Sequence, residues 1–212
     1  MKRDSTGPQP DASGHFTKLP RSFYIRSSLA VARDLPGLYL FRKSGKTLFA
    51  GRIVEVEAYR GTNDPASHAY RGMTPRNEVM FGEGGRLYVY FTYGMHYCCN
   101  VVTGAKGDAG AVLIRAVEPL AGIRAMNRRR SAGDGRNRDR RELCSGPGKL
   151  CQAFGIGRRE NGIDLCGGTI WLARKGGENP PRRIGRSRRI GISSGRKHLW
   201  RFFLPDTPFV SR

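Results

Sequence analysis

Two glutamates in one short run set the chemical question. In Gly51-Arg-Ile-Val-Glu-Val-Glu-Ala-Tyr59 apolar and polar residues alternate with a period of two, the pattern of a β-strand. On that reading Ile53, Glu55, Glu57 and Tyr59 share one face, and Val54, Val56 and Ala58 share the other. Two carboxylates on one face are costly to bury unless something there pairs with them or uses them. The commoner fate of such alternation is a solvated outer face with the valines turned inward. A strand-borne Glu57 can act as a general base on water if its neighbours hold it charged and aimed. Arg115, the lone charge in the apolar run 111–117, is a positive partner that would lower the carboxylate's pKa. A buried structural ion pair would present the same two residues.

Aromatic residues gather around this pair in the sequence: Tyr59, Tyr70, Tyr88, Tyr90, Tyr93 and Tyr97. Aromatic faces stack on nucleobases, each contact worth ~1–3 kcal/mol, and they attract cationic rings. Core packing is the usual fate of strand aromatics. Tyr93 is different, because it stands beside Gly94 and Met95 at the tip of a hairpin read over 86–103. An aromatic and a methionine at such a tip suit a wedge that enters a stacked duplex. His68 lies in a loop close to Asp64. Lys149, in Ser145-Gly-Pro-Gly-Lys-Leu, lacks the spacing of a nucleotide-binding P-loop, and it supports phosphate contact without nucleotide hydrolysis.

The elements that must carry these residues follow from periodicity and breakers. Residues 22–33 suit a helix, stopped by Asp34-Leu-Pro-Gly37. Strands are expected at 38–42, 48–59, 111–117, 169–173, 188–193 and 200–204, besides the 86–103 hairpin. Residues 60–80 read as a loop. Glu118-Pro119 is expected to open a helix reaching about residue 129, and Ser145 to cap another with Pro147 in its first turn. Residues 127–142 form a low-complexity, Arg-rich loop, and 1–20 a flexible basic arm. The remainder, 21–212, is one α+β domain.

Composition agrees with a polyanion partner. The chain has 212 residues, 38 Lys+Arg against 17 Asp+Glu, and a formal charge of +21. Arginine dominates, 30 to 8 lysines, and its planar fork suits bidentate phosphate contact. A GC-rich coding sequence would also enrich arginine and glycine, so charge alone does not define the partner. Segments 121–142 and 174–201 carry +5 and +9, two thirds of the excess. No apolar run approaches the ~20 residues of a membrane span, and the N-terminus lacks the apolar core of a secretion signal. Five cysteines, an odd count without a CxxC spacing, read as reduced and buried thiols of a cytoplasmic protein.

Taken in order, several segments resemble the alkyladenine (3-methyladenine) DNA glycosylase family. They are Gly51–Tyr59, His68, Thr74-Pro-Arg-Asn77, Leu87-Tyr-Val-Tyr-Phe-Thr-Tyr-Gly-Met95, Asn100, Leu113-Ile-Arg-Ala-Val-Glu-Pro119 and Glu142-Leu-Cys-Ser-Gly-Pro-Gly-Lys-Leu-Cys-Gln-Ala153. The resemblance implies a curved antiparallel sheet with surrounding helices and a protruding hairpin. It implies a monomeric, monofunctional glycosylase, without metal or cofactor, acting on double-stranded DNA in the cytoplasm, or in the nucleus of a eukaryote. Such an enzyme flips a damaged purine from the duplex and hydrolyses its N-glycosidic bond with an activated water, initiating base excision repair. The substrates implied are 3-methyladenine and, by extension, hypoxanthine and ethenoadenine. Glu57 would be the base, with Arg115 and His68 helping to hold the water. Tyr59, His68 and Tyr90 would box the flipped base, and Asn100 would clash with the amino group of normal guanine. Tyr93, with Met95 beside it, would fill the gap in the duplex. Arg76, Arg130 and Lys149 would contact phosphates. His96, Tyr97 and Thr92 depart from the residues common in the family, which bears on lesion range.

Two other readings remain at this point. Glu55 and Glu57, with Asp64, could be ligands of a metal-dependent nuclease. Alternatively, the aromatics could be stacking platforms of a binder without catalysis.

Overall fold

The computed structural model describes residues 14–92 and 94–211. The chain order is β1 (Phe16–Lys18), α1 (Arg21–Tyr24), α2 (Ser28–Asp34), β2 (Tyr39–Ser44), β3 (Thr47–Tyr59), β4 (Leu87–Thr92), β5 (His96–Thr103) and β6 (Gly110–Ala121). There follow α3 (Ile123–Ser131), α4 (Arg140–Leu143), α5 (Pro147–Phe154), β7 (Ile170–Lys175), β8 (Gly185–Ser187) and β9 (Arg201–Phe203). The strands form one large open sheet in the order β1-β7-β2-β3-β6-β5-β4, with a β8–β9 ribbon joined to β3, and every pairing is antiparallel. Helices cover it, α5 burying Leu150, Cys151, Ala153 and Phe154 in the main core. This is the α+β architecture expected, and the 86–103 hairpin is β4 and β5.

Strand β3 organises the sheet because one of its edges changes partner. Up to Arg52 that edge pairs with β2; from Glu55 to Glu57 it pairs with β9. On its other edge the ladder to β6 slips between Ile53 and Glu55 and again between Glu55 and Val56, leaving Val54 and Arg115 as extra residues. Bulges of this kind re-aim side chains. The strict alternation read from sequence therefore fails at one step: Ile53 joins Val56 and Ala58 in the main core, whereas Val54 packs with Ala116, Leu204 and Phe209. The solvated-face reading fails outright, since Glu55 and Glu57 are both 0% exposed.

Other departures have local causes. The helix expected at 22–33 is split, because the Ser27 hydroxyl accepts from the Ala30 amide and starts α2 afresh. Pro119 does not open a helix. It lies within β6 opposite Gly51, at another slip of the ladder, where a missing N–H is tolerated. The helix begins only after Gly122, whose φ is +77° and where a Cβ would meet Phe49 at 2.8 Å. The arginine-rich stretch is partly helical: α3 runs to Ser131, and α4 starts at Arg140 under an Asp139 side-chain cap. Between them Asn127 bonds both the amide and the carbonyl of Arg138. The cap of α5 is Gly146, while Ser145 is engaged in a β-bridge to Ala116. Residues 188–193 are irregular, the nearest strand being β8. Phe16–Lys18 pairs with β7, so the end of the expected arm belongs to the sheet; residues 1–13 lie outside the described residues. Four of the cysteines are buried free thiols and Cys166 is half-buried.

Candidate functional site

The strand registers align a single row of residues across the sheet: Tyr88 on β4 faces Asn100 on β5, which faces Leu113 on β6, which faces Glu57 on β3. Side chains directly opposite one another project to the same side. A cleft of about 550 Å³ opens over this row. Its walls are Tyr59 at the end of β3, Ser67 and His68 from the following loop, Tyr90 and Cys98 from the hairpin, Arg115 from the bulge, and residues 190–193. The sheet thus converges Glu57, Arg115, Tyr59, His68, Tyr90 and Asn100 on one place.

Glu57 sits behind the wall made by Tyr59 and Arg115. Its Oε1 accepts the Ile190 amide at 2.7 Å and lies 3.3 Å from Arg115 Nη1; its Oε2 accepts the Tyr59 hydroxyl at 2.9 Å. Burial pushes the Glu57 carboxyl above its ordinary range, and the Arg115 charge, the Ile190 amide and the Tyr59 hydroxyl pull it back only in part. Arg115 therefore acts in the direction expected from sequence, but desolvation outweighs it. The Tyr59 phenol is held protonated by burial and by Glu57's charge, so it remains a donor.

A second carboxylate supports the first. Glu55 Oε1 accepts from Arg115 Nε at 2.9 Å, Arg201 Nε at 2.6 Å and the Ser211 hydroxyl at 2.8 Å, and Oε2 accepts the Ser211 amide at 2.5 Å. Arg115 Nη2 donates to Ser211 Oγ at 3.2 Å. The guanidinium is thus fixed between two buried carboxylates, one tied to the C-terminal segment and the other to the cleft. Asp64 is engaged elsewhere, by Arg189. The ligand set Glu55, Glu57 and Asp64 considered for a nuclease is not assembled, and the described residues hold no cluster of three potential metal ligands.

His68 lies on the cleft but is tied to Tyr88, its Nδ1 2.9 Å from that hydroxyl, and meets the Tyr90 ring edge-on at 4.4 Å. Among the described residues it makes no hydrogen bond to Glu57 or Arg115. Desolvation, then the charge of Arg76, holds its imidazole below the ordinary range, so it is neutral at neutral pH. Asn100 is buried in the floor and donates to the Tyr88 carbonyl at 3.3 Å. Thr92 also lines the cleft. Met95, at the hairpin tip, is 71% exposed. Tyr93 lies outside the described residues.

The three expected phosphate contacts differ in setting. Arg76 is exposed, donates to the Phe91 carbonyl at 3.1 Å and lies over the Tyr90 ring. Lys149 is exposed on the first turn of α5, two residues after Pro147, which lines the cleft. Arg130 is half-buried and donates to the Gln152 side chain, so it joins α3 to α5.

Sequence reading missed Arg189, Ile190, Arg201 and Ser211. The two arginines were hidden in a run of positive charge, Ile190 contributes through its backbone, and nothing in Ser211's sequence surroundings set it beside Glu55. The helices among the described residues include none long and apolar enough to cross a membrane.

Comparisons with known proteins bear on what this arrangement is for. The chain matches the family described as methylpurine-DNA glycosylase over residues 22–208. It is 52% identical over 194 residues to a protein of Carboxydothermus hydrogenoformans, covering 92% of this chain and 98% of that one. It is 48% identical over 196 residues to one of Burkholderia cenocepacia, covering 92% and 91%. To one of Methanoculleus marisnigri it is 46% identical over 197 residues, covering 92% and 98%. All three are provisionally named 3-methyladenine DNA glycosylases. With the match spanning nearly the whole α+β domain and its cleft, the chain belongs to the methylpurine-DNA glycosylase family: it is a DNA glycosylase, a hydrolase of DNA repair.

Proposed function

We propose that the enzyme releases 3-methyladenine from double-stranded DNA, with the flipped purine held in the aromatic cleft and Glu57 activating the water that attacks C1′. The observation that carries this reading is the buried Glu57–Arg115 pair at the end of the row Tyr88, Asn100, Leu113. A carboxylate held by fixed donors beside a cleft is suited to take a proton from water. An alkylated purine such as 3-methyladenine is cationic, so it leaves without further protonation and is attracted to the faces of Tyr59 and Tyr90. Flipping costs a few kcal/mol, less for a damaged base, which favours the lesion over its normal neighbours. Asn100, buried and held by the Tyr88 carbonyl, is the residue for excluding the guanine amino group. Tyr93 and the exposed Met95 are assigned to the gap left in the duplex, and Arg76 and Lys149 to flanking phosphates, with Arg130 supporting the fold beside them. Hypoxanthine and ethenoadenine are further candidate substrates, and for neutral bases a proton donor is also required.

The test is the product. Methylated duplex DNA incubated with the protein is expected to yield free 3-methyladenine and an abasic site, at a rate unchanged by EDTA, and borohydride is expected to trap no protein–DNA adduct. Strand cleavage without free base, or a strict requirement for a divalent cation, would overturn the assignment.

The acid side of the pH profile tests the base itself. Protonated Glu57 cannot accept a proton, so kcat/KM on a cationic lesion is expected to fall as pH falls through the pKa of free-enzyme Glu57. Because burial raises that pKa above the usual 4.5, the acid limb should stand above the ordinary carboxylate range. A limb at or below that range would argue against Glu57 as the titrating group.

A further inference from the structure

Residues 190–193 form one wall of the cleft without belonging to any strand ladder, yet the Ile190 amide meets Glu57 Oε1 at 2.7 Å. The residue before it explains how. The Arg189 side chain is wholly buried, and its guanidinium grips Asp64 with two bonds, Nη1 to Oδ2 at 2.5 Å and Nη2 to Oδ1 at 2.9 Å. Nη1 also donates to the Ala58 carbonyl at 2.9 Å, and the group lies 4.6 Å from the centre of the Tyr59 ring and 4.9 Å from that of Trp200. Each attachment is next to part of the site. Ala58 follows Glu57, Arg189 precedes Ile190, and Asp64 also accepts the Arg60 and Ala66 amides, which sets the loop leading to His68.

The chain then closes over this pair. At Gly195, whose φ is +64°, a Cβ would meet Arg189 Nη2 at 2.8 Å and Asp64 Oδ1 at 3.3 Å. Burying an ion pair is a poor route to stability, and its attested use is to fix one geometry. We propose that Arg189 is a positioning residue, which through its clasp on Asp64 holds the Ile190 amide on Glu57 and so fixes the carboxylate that the reaction uses. The inference rests on Glu57 as the base and adds what orients it.

A purely structural clasp and a positioning clasp differ in their effect on Glu57's titration. The groups facing Glu57 are Glu55 and Tyr59 from its own strand, Arg115 from β6, Arg201 opposite it on β9, Cys98 from β5 and Tyr90 from β4. All are kept in Arg189→Met. Freed of the clasp, the Ile190 amide no longer favours the ionised carboxylate, so the acid limb of kcat/KM should move to higher pH. In the same variant kcat should fall about a hundredfold, the size of a misplacement on the order of 1 Å, while KM changes little. Arg189→Lys, which keeps the charge without the fork, should fall between the variant and the wild type. Should Arg189→Met not fold, Arg189→Lys carries the test, because it keeps the charge and loses the fork, with fast hydrogen exchange at the Ile190 amide as a direct readout. An unshifted acid limb, with activity reduced only in proportion to folded protein, would overturn the proposal. The Glu57→Gln enzyme separates the two readings: if it still excises, the base assignment fails; if it is inactive and Arg189→Met is unshifted, only the clasp fails.

Discussion

Replacing Glu57 by Gln is expected to reduce single-turnover excision of 3-methyladenine by on the order of 10²–10⁴, the contribution of a positioned general base, while affinity for lesion DNA stays within a few-fold. The substitution is nearly isosteric. The amide oxygen can still accept the Ile190 N–H, and Arg115 keeps Glu55 as its partner. What is lost is the capacity to take a proton. Stability should move the other way. Burial raises Glu57's folded pKa, so ionising this group opposes folding: its favourable contribution is present below the ordinary carboxylate pKa and lost as pH rises through the folded value. The Gln variant should therefore melt no lower than wild type near neutral pH, and any advantage should shrink on acidification. A folded variant with near-normal single-turnover excision would end the case for Glu57.

How far such a site can be read from sequence depends on whether its parts are local. The period-two run of β3 named both Glu57 and Tyr59, and the lone charge at 115 named the partner, because strand patterning and a charge in an apolar run need no tertiary information. The family motifs then supplied His68, Tyr90 and Asn100; the pairing of β4 with β5 brings the last two to the cleft, and the loop after β3 brings His68. The exchange of Ile53 and Val54 between faces was not legible, because a bulge is fixed by the partner strand as much as by its own. Pro119 misled for the same reason, its strand position being allowed only by the slip opposite Gly51.

Charge was the least divisible signal. The positive segment 174–201 suggested a grip on phosphates throughout. Within it, however, Arg189 is buried on Asp64 and Arg201 is largely buried on Glu55, so neither is free for DNA. In 121–142, Arg138 pairs with Asp134 and Arg140 with Glu118. An arginine that holds an interior carboxylate and one that waits for a phosphate look alike until the fold brings an acid beside the first. Some of the arginines therefore build the fold and the site, and only the unpaired ones can meet the polyanion.

Arg115→Met is expected to have the largest effect on stability. The methionine fills much of the same space, but among the described residues Glu55 keeps only Arg201 as a cationic partner and Glu57 keeps none. Removing one partner of a buried ion pair typically costs about 3–5 kcal/mol, which in a domain of this size lowers Tm by on the order of 10 °C. Activity should fall as well, since losing the Arg115 charge raises Glu57's pKa further and lowers its ionised fraction at any given pH. The sign with pH follows from the same cause. With Arg115 gone, Glu57's folded pKa rises further, so the folding penalty is present at neutral pH and relieved as pH falls through that value. Melting curves should show the gap from wild type narrowing on acidification. The double variant Arg115→Met, Glu57→Gln separates charge from packing: it should recover most of the lost stability, because the stranded charge is gone, and none of the activity. A double variant that melts as low as Arg115→Met alone would show that the cost lies at Glu55 or in packing, and that Glu57 does not depend on the arginine's charge.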